Sequence, residues 1–529
     1  MALSLFSSRL EAICEEMGAA LRRSAFSPNI KDRLDYSCAV FDARGELGAQ
    51  AAHIPVHLGS MAYAMADVVQ AVAWAPGDMV ILNDPFLGGT HLPDVTLIAP
   101  VFSGDAPVGF VVNRAHHADI GSASPGSMPI SRTLEDEGTV IPPTHLARAG
   151  EIDEAILAAI VAGLASPDDA RADFVAQVSA NRIGAGRMRE MVEAMGREGF
   201  AAALASLNAY GERLARSALQ AIPEGRYTFE DVLDDDGLGQ VDLPLRVAVE
   251  VRDEGVVVDF AGTAAQTRGN VNCPLSVAAA AVYYVFRCLM PPQTPACAGS
   301  LRPVALRAPA GCLVNARRPA AVAAGNVETS TRLVDVVTGA LARALPGRIP
   351  AASQGSMNNV AMGNRTPARN WDYYETVGGG MGAGPAGGGL DAVQTHMTNT
   401  LNTPVEALEM RFPLRIRRYA IRDGSGGQGQ RRGGHGLVRE YEFLEDAQVT
   451  LLSERRRHAP WGLAGGAPGL PGGNRLNAES LAGKVQLQAR AGDRLTIETP
   501  GGGGWGPPLE PGSAGECHGE GRMAGDALP

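Results

Sequence analysis

The sequence predicts an α+β protein, with several mixed α/β and antiparallel-β units and a long helical segment near residues 151–221. Three observations support this prediction. Helix-like and strand-like patterns alternate over the first 150 residues, and a long Ala-rich helical pattern follows. From Gly225 onward, short alternating strands are separated by Gly, Asp and Pro turns. A chain of 529 residues is long enough for several packed units.

Changes in these patterns divide the chain into five parts. We expect a mixed α/β unit with a metal site at 1–150, a helical segment at 151–222, and an antiparallel sheet with helices at 223–350. Residues 351–508 read as a Gly-rich pocket and a β-rich carboxy-terminal unit, because Met and Ala interrupt the glycine run and polar side chains follow it. The Gly- and Pro-dense residues 509–529 are expected to be a disordered tail.

Composition argues against several classes of function. The 46 Lys and Arg stand against 57 Asp and Glu, a net charge of −11 that disfavours nucleic acid as a partner. Only Lys31 and Lys484 are lysines, and the phosphate-binding loop motif is absent, so we expect any nucleotide to bind elsewhere. The seven cysteines never form a C-x-x-C pair, and no apolar run is long enough to span a membrane. These features predict a cytoplasmic protein without membrane contact.

The clearest candidates for chemistry flank a predicted hairpin. NDPFLGGTHLPDV (83–95) leads into one strand, and the next strand leads into NRAHHADIG (113–121). Pairing about the intervening turn sets Asp94 opposite Ala115, so that His116 or His117 can reach the same point as His91 and Asp94. Two imidazoles and a carboxylate with an open position are a common catalytic set for a divalent metal, such as zinc, manganese or iron.

Only one of the two adjacent histidines is expected to bind the metal, because neighbouring side chains on a strand point to opposite faces. We predict His91, Asp94 and His116 as ligands. His117 or Asp119 would then orient a ligand or carry a proton, and both are catalytic candidates. The alternative is a set of hydrogen-bonded histidines near a turn, and the sequence alone leaves both interpretations open.

Two further segments are polar where a core would be apolar. In GNVETSTR, Asn326 is predicted to cap a helix, with Glu328 and Thr329 in its first turn, where capping alone competes with contact to a substrate. His396 lies in QTHMTNTLNTP, whose amides and hydroxyls suit a small polar ring. All four residues are candidates for binding substrate.

The arginine run in SERRR (453–457) is predicted to form a solvated face or salt bridges, with a phosphate or carboxylate clamp as the alternative. No G-x-S-x-G motif occurs, and none of the cysteines has a local setting that suggests a nucleophile. Hydrolysis by activated water therefore fits the sequence better than covalent catalysis.

The chain resembles the hydantoinase B/5-oxoprolinase family, which includes the large subunits of acetone- and acetophenone-type carboxylases. The resemblance runs nearly end to end and rests on RLDYSCAVFD, HIPVHLGSM, NDPFLGGTHLPDV, RAHHADIG, GNVETS, PAASQGSMNN, SERRRHAPWGLAGG and TPGGGGWG. It implies metal ligands at His91, Asp94 and His116. It also implies an ATP-dependent reaction shared with a hydantoinase A-like partner, which binds ATP and phosphorylates the substrate.

From the resemblance we expect the catalytic subunit of an ATP-dependent cyclic-amide hydrolase in a hetero-oligomer, acting on hydantoin, 5-oxoproline or a related lactam. A subunit of an ATP-dependent ketone carboxylase is the alternative, and a non-catalytic scaffold subunit is a third interpretation. The segment at 363–384 keeps the family's aromatic and glycine character, which adds Tyr374, Glu375 and Gly380 as pocket candidates. The segment PPQTPACAGSLRP (291–303) departs from the family pattern.

Overall fold

Helices are distributed along the whole chain in the computed structural model, which describes residues 3–51, 53–366 and 369–508. The expected tail at 509–529 lies outside the described residues. The α-helices of the described part are α1 (Leu3–Ser24), α2 (Pro28–Lys31), α3 (Pro55–Ala71), α4 (Glu154–Val161), α5 (Pro167–Met195), α6 (Arg197–Leu219), α7 (Leu275–Leu289), α8 (Ala298–Leu301), α9 (Ser330–Ala344) and α10 (Val405–Arg411). Helices α4 to α6 form the predicted long helical segment.

The amino-terminal unit is built on a seven-stranded antiparallel sheet with the order β2-β1-β5-β4-β3-β6-β7. Helices α1 and α5 pack on one face of this sheet and α3 on the other, so the central strands are buried on both faces. Its strands are β1 (Tyr36–Asp42), β2 (Leu47–Gln50), β3 (Met79–Leu82), β4 (Asp94–Ser103), β5 (Ala106–His116), β6 (Thr144–Arg148) and β7 (Glu151–Ile152).

Helix α1 illustrates how the sequence pattern produces this packing. Its buried side chains recur every three or four residues and therefore form one apolar stripe along the helix. The stripe lies in the same core cluster as side chains of β1, β4 and β5. Its members are Phe6, Leu10, Ile13, Cys14, Met17 and Leu21.

A second sheet follows the helical segment and has the order β11-β10-β9-β8. Helix α9 packs against β8 and β9, and α7 packs against both α9 and α3, so α7 joins this unit to the amino-terminal one. The strands are β8 (Gly225–Asp235), β9 (Val241–Arg252), β10 (Gly255–Asp259) and β11 (Val304–Arg307).

The carboxy-terminal unit contains two sheets, with the orders β13-β12-β16-β19 and β14-β15-β20-β17-β18. Their inner faces share one core cluster. The strands are β12 (Asn359–Thr366), β13 (Arg369–Glu375), β14 (Leu414–Arg422), β15 (Gly436–Phe443), β16 (Ala447–Leu452), β17 (Gly473–Leu476), β18 (Glu479–Leu481), β19 (Lys484–Ala489) and β20 (Arg494–Glu498). The combination of helices with mostly antiparallel sheets confirms the predicted α+β class.

The register of the β4–β5 hairpin differs by one residue from the predicted one. Asp94 pairs with His116 instead of Ala115, because the bulge between Val101 and Phe102 leaves β5 with one extra residue. Residues paired directly across two strands share a face of the sheet. The bulge therefore sets Asp94 and His116 side by side at the end of the hairpin.

Candidate metal centre

Three donor atoms from the hairpin and the loop before it form a nearly equilateral triangle. The Asp94 Oδ1 lies 3.0 Å from the His116 Nδ1 and 3.2 Å from the His91 Nε2, and the two nitrogens are 3.3 Å apart. Donor atoms that share one ion at about 2.1 Å, with angles between about 90° and 110°, are separated by about 3.0–3.4 Å. The three side chains are also buried, so their arrangement fits a divalent metal ion.

Neighbouring groups hold the second oxygen of the Asp94 carboxylate. The Thr90 hydroxyl donates to Oδ2 at 2.5 Å, and the Asn326 side-chain amide donates to it at 3.3 Å. The Nε2 of His57, on α3, lies 3.1 Å from the same oxygen, and its Nδ1 lies 3.3 Å from the Ser37 hydroxyl. This support fixes the carboxylate so that Oδ1 faces the two histidines.

The electrostatics of the cluster favour a bound cation. Burial alone would raise the pKa of Asp94, but His57 and His91 hold it well below its usual range. Burial alone would lower the pKa of His91, but the Asp94 charge outweighs burial and raises it. For His116 burial dominates and lowers the pKa. The site therefore combines an ionised carboxylate with a histidine that stays neutral, and both are forms that bind metal.

The donor atoms border a cavity of about 20 Å³, which has room for about one water molecule or one ion. The Tyr374 ring stacks on the His116 ring with 4.6 Å between centroids, and the Arg33 guanidinium lies over the other side of this wall, 4.9 Å from the Tyr374 ring centre. The wall is completed by Asp35, Ile54, Val56, Asn326, Val327, Met357, Thr376, Met397 and Thr398. A lactam ring is larger than this space, so the structure shows the site in a closed form.

A family model for hydantoinase B/oxoprolinase matches residues 1–508. The chain belongs to the hydantoinase B/oxoprolinase family. It is 38% identical to an uncharacterized protein of Methanocaldococcus jannaschii, over 96% of this chain and 91% of that protein. It is also 38% identical to 5-oxoprolinase 1 of Arabidopsis thaliana, but spans only 41% of that longer protein. The B component of a putative D-/L-hydantoinase from a Pseudomonas species is 32% identical, over 95% of this chain and 89% of the relative.

Two solved structures share the fold of this family member. The ATP-dependent caprolactamase of Pseudomonas jessenii superposes with a TM-score of 0.89 at 28% identity, and the match covers 96% of this chain and 90% of that chain. Acetone carboxylase superposes with a TM-score of 0.85 over 96% of this chain and 76% of that chain, and its 17% identity shows the shared fold alone. Within the described residues, no helix has the length and apolar character needed to cross a membrane.

The structure does not bring the two catalytic candidates, His117 and Asp119, to the metal cavity. The His117 Nε2 lies 2.9 Å from the side-chain oxygen of Gln177, and its ring stacks on Phe174, on the opposite face of the sheet from His116. Asp119 accepts hydrogen bonds from backbone N–H groups and pairs with Arg365 at 3.1 Å. Both side chains therefore have local partners that a role in proton transfer at the metal would not use.

The three candidates in GNVETSTR have different positions. The helix begins at Gly325 as a π-helical turn, so Asn326 does not cap it as predicted; its side chain lines the cavity and contacts Asp94. Glu328 lies just behind the cavity wall, where its Oε1 accepts hydrogen bonds from the Met357 N–H and the Asn359 side-chain amide. The Thr329 hydroxyl donates to the Val271 carbonyl at 2.5 Å, which anchors the helix instead of facing the cavity.

Glu375, Gly380 and His396 are also outside the cavity wall. Glu375 follows Tyr374 on β13 and therefore points to the opposite side, where it pairs with the buried Arg439 at 3.2 Å. A Cβ at Gly380 would lie 2.0 Å from the Gly434 carbonyl oxygen, so glycine there permits close packing of backbone and does not line a pocket. His396 contacts Asp335 at 3.7 Å, although the next two residues line the cavity.

The arginine run of SERRR is part of a buried network of charges and does not form an exposed face throughout. Arg455 pairs with Asp335 at 2.7 Å and with Asp231 at 2.9 Å, and the Arg456 guanidinium donates to Asn358 at 2.7 Å. Arg457 alone is exposed, where it pairs with Asp242. Since Arg455 and Arg456 already have protein partners, the network joins α9 to the carboxy-terminal unit.

Sequence reasoning missed His57 and Thr90. His57 lies on α3, and nothing in the local sequence indicates that this helix packs beside the hairpin. Thr90 immediately precedes His91, and its short side chain at a turn is a signal for a hydrogen bond to the nearby carboxylate. Either residue could have been identified only by asking which groups hold the second oxygen of Asp94.

Proposed function

We propose that this chain is the catalytic subunit of an ATP-dependent cyclic-amide hydrolase that opens hydantoin, 5-oxoproline or a related lactam. The observation that carries the proposal is the triangle of donor atoms from His91, Asp94 and His116 in a buried cavity. The names of the relatives, which include 5-oxoprolinase, D-/L-hydantoinase and ATP-dependent caprolactamase, support a cyclic amide as the substrate class.

A divalent zinc, manganese or iron ion at this triangle would polarise a carbonyl oxygen or activate a water molecule. Two atoms in the cavity wall suit the remaining polar groups of a cyclic amide. The Asn326 Oδ1 and the His116 Nε2 are buried and have no hydrogen-bond partner among the described residues. Asn326 can accept a hydrogen bond from the ring N–H, and the His116 Nε2–H can donate one to an oxygen of the reacting carbon.

We propose further that ATP is bound by a hydantoinase A-like partner in a hetero-oligomer. The sequence lacks a phosphate-binding loop, and one relative is named as the B component of a hydantoinase with several subunits. The 5-oxoprolinase relative is more than twice as long as the matched region, which is consistent with a chain that carries both functions in one polypeptide. In this chain the two functions would belong to separate subunits.

The test is ring-dependent ATP hydrolysis by this chain together with a hydantoinase A-like partner, over a panel of hydantoin, 5-oxoproline and caprolactam. We expect ADP release and an opened ring with at least one substrate, loss of both in a His91→Ala/His116→Ala variant, and retention in His145→Ala, a histidine on β6 outside the cavity. Absence of ring-dependent ADP across the panel would overturn the proposal. Label from bicarbonate in an acid-stable product would favour a carboxylase, and full turnover by the double variant would favour a scaffold.

A further inference from the structure

An open groove of about 850 Å³ lies directly outside the wall of the metal cavity. Tyr36, His53 and Asn399 line the groove, and the residues next to each of them in the chain, Asp35, Ile54 and Thr398, line the cavity. Neighbouring residues of an extended chain point to opposite sides. Groove and cavity are therefore separated by a single layer of backbone in three places.

One side of this wall is a segment without helix or strand, residues 394–404. Three hydrogen bonds hold it against the amino-terminal unit: Val56 N–H to the Met397 carbonyl at 3.3 Å, the Asn399 side-chain amide to the His53 carbonyl at 3.2 Å, and Leu401 N–H to the Arg33 carbonyl at 3.0 Å. Such a segment can separate from its neighbours at much lower cost than a helix or a central strand. The closed cavity of about 20 Å³ requires some movement before a ring can enter.

The groove also carries unpaired positive charge. Arg22 and Arg23, from the last turn of α1, and Lys31, from α2, are exposed along it, together with the carboxylates of Glu15 and Asp32. Among the described residues, none of the three cations takes part in an ion pair, and Arg23 donates only to a backbone carbonyl of its own helix. In a chain with a net charge of −11, an excess of free cations beside the cavity is a feature that favours an anionic ligand.

We propose that this groove is the entrance to the metal cavity and that it selects rings that carry an anionic group, either a carboxylate or a phosphoryl group. Arg22, Arg23 and Lys31 hold the anion, and the segment at 397–399 moves aside so that the ring reaches Asn326 and His116. This inference rests on the proposed function, because it assigns a substrate class to the same site.

The test measures ligand affinity of the full chain by calorimetry, without the partner or ATP. The probes are 5-oxoproline, 2-pyrrolidinone, which is the same ring without the carboxylate, and inorganic phosphate. We expect an Arg22→Gln/Arg23→Gln/Lys31→Gln variant to bind 5-oxoproline about tenfold more weakly, the order expected for three partly screened charges, with no change for 2-pyrrolidinone. Arg9→Gln, on α1 but outside the groove, should change neither affinity.

A second pair of variants tests the route itself. Ala19→Trp places an indole in the groove, whereas Ala12→Trp places one at an exposed position of α1 outside it. With cobalt bound, ligand arrival at the metal changes the visible absorption spectrum, and we expect only Ala19→Trp to abolish that change. Tighter binding of phosphate than of 5-oxoproline would identify a phosphoryl group as the anion, and the reverse order a carboxylate.

Two results would overturn the proposal: unchanged 5-oxoproline affinity in the triple variant, or an unchanged spectral response in Ala19→Trp. Failure to bind either anion by the unaltered chain would overturn it as well. Failure of the proposed function is a different result, since it appears as missing cobalt or as missing ring-dependent ATP hydrolysis with the partner. Calorimetry still decides the role of the groove in those cases.

Discussion

Replacing Glu328 by Gln tests the cost of an acid buried behind the metal cavity. The carboxyl group is fully buried, its Oε1 accepts hydrogen bonds at 3.0 and 2.7 Å, and its Oε2 has no hydrogen-bond partner among the described residues. Burial raises the pKa of Glu328 to about 7 from an ordinary value of 4.5. Gln keeps the accepting oxygen and removes the charge.

The sign of the pH dependence follows from this raised pKa. Between pH 4.5 and 7 the folded chain binds a proton at Glu328 that the unfolded chain releases, so the wild-type protein loses stability from this group as the pH rises through that range. The difference between 7 and 4.5 corresponds to about 3 kcal/mol, which is fully lost above pH 7. Glu328→Gln should therefore be more stable than wild type at pH 8, by up to about 3 kcal/mol, with the advantage falling to near zero at pH 4.5.

The assay is urea unfolding of both proteins at intervals between pH 4.5 and 8, with Glu479→Gln, at an exposed position on β18, as the matched control. The control should follow wild type throughout. A Glu328→Gln variant that is equally destabilised at every pH, or whose advantage grows as the pH falls, would refute the reasoning.

Two further predictions concern the packing around the site. In Gly325→Ala the new Cβ would lie 1.7 Å from a backbone carbonyl oxygen, so we expect a loss of at least about 2 kcal/mol in urea unfolding, whereas Gly163→Ala, with no heavy atom within 4 Å of its Cβ, should be nearly neutral. Lys484→Met leaves the buried Glu454 with Arg332 as its remaining close cation, and we expect a loss of about 3 kcal/mol. An unchanged urea midpoint in either variant would contradict the packing described here.

The metal triangle was accessible to sequence reasoning because its ligands are local. His91 and Asp94 are three residues apart, and a short hairpin returns the chain to His116. Alternation along the strand also distinguishes His116 from His117. The register could not be predicted, because the bulge between Val101 and Phe102 leaves no clear signal in the residues that form it. The bulge turned a diagonal approach into a direct pair.

The remaining wall of the cavity depends on packing between distant parts of the chain. His57, Asn326 and Tyr374 come from α3, the turn before α9 and β13, and no local pattern shows that these elements meet. The choice between Tyr374 and Glu375 depends on which face of β13 turns inward, which is decided by the neighbouring sheet. At Gly380, glycine suits both an open pocket and close packing of backbone, and composition does not distinguish them.

The most direct test of the metal centre is elemental analysis of the purified chain beside its His91→Ala/His116→Ala variant, with circular dichroism to establish folding. We predict close to one zinc, manganese or iron per wild-type chain, loss of that metal in the folded double variant, and retention in His145→Ala. Equal metal content in wild type and double variant, or no metal in wild type after dialysis against each of the three ions, would contradict the assignment of His91, Asp94 and His116 as metal ligands.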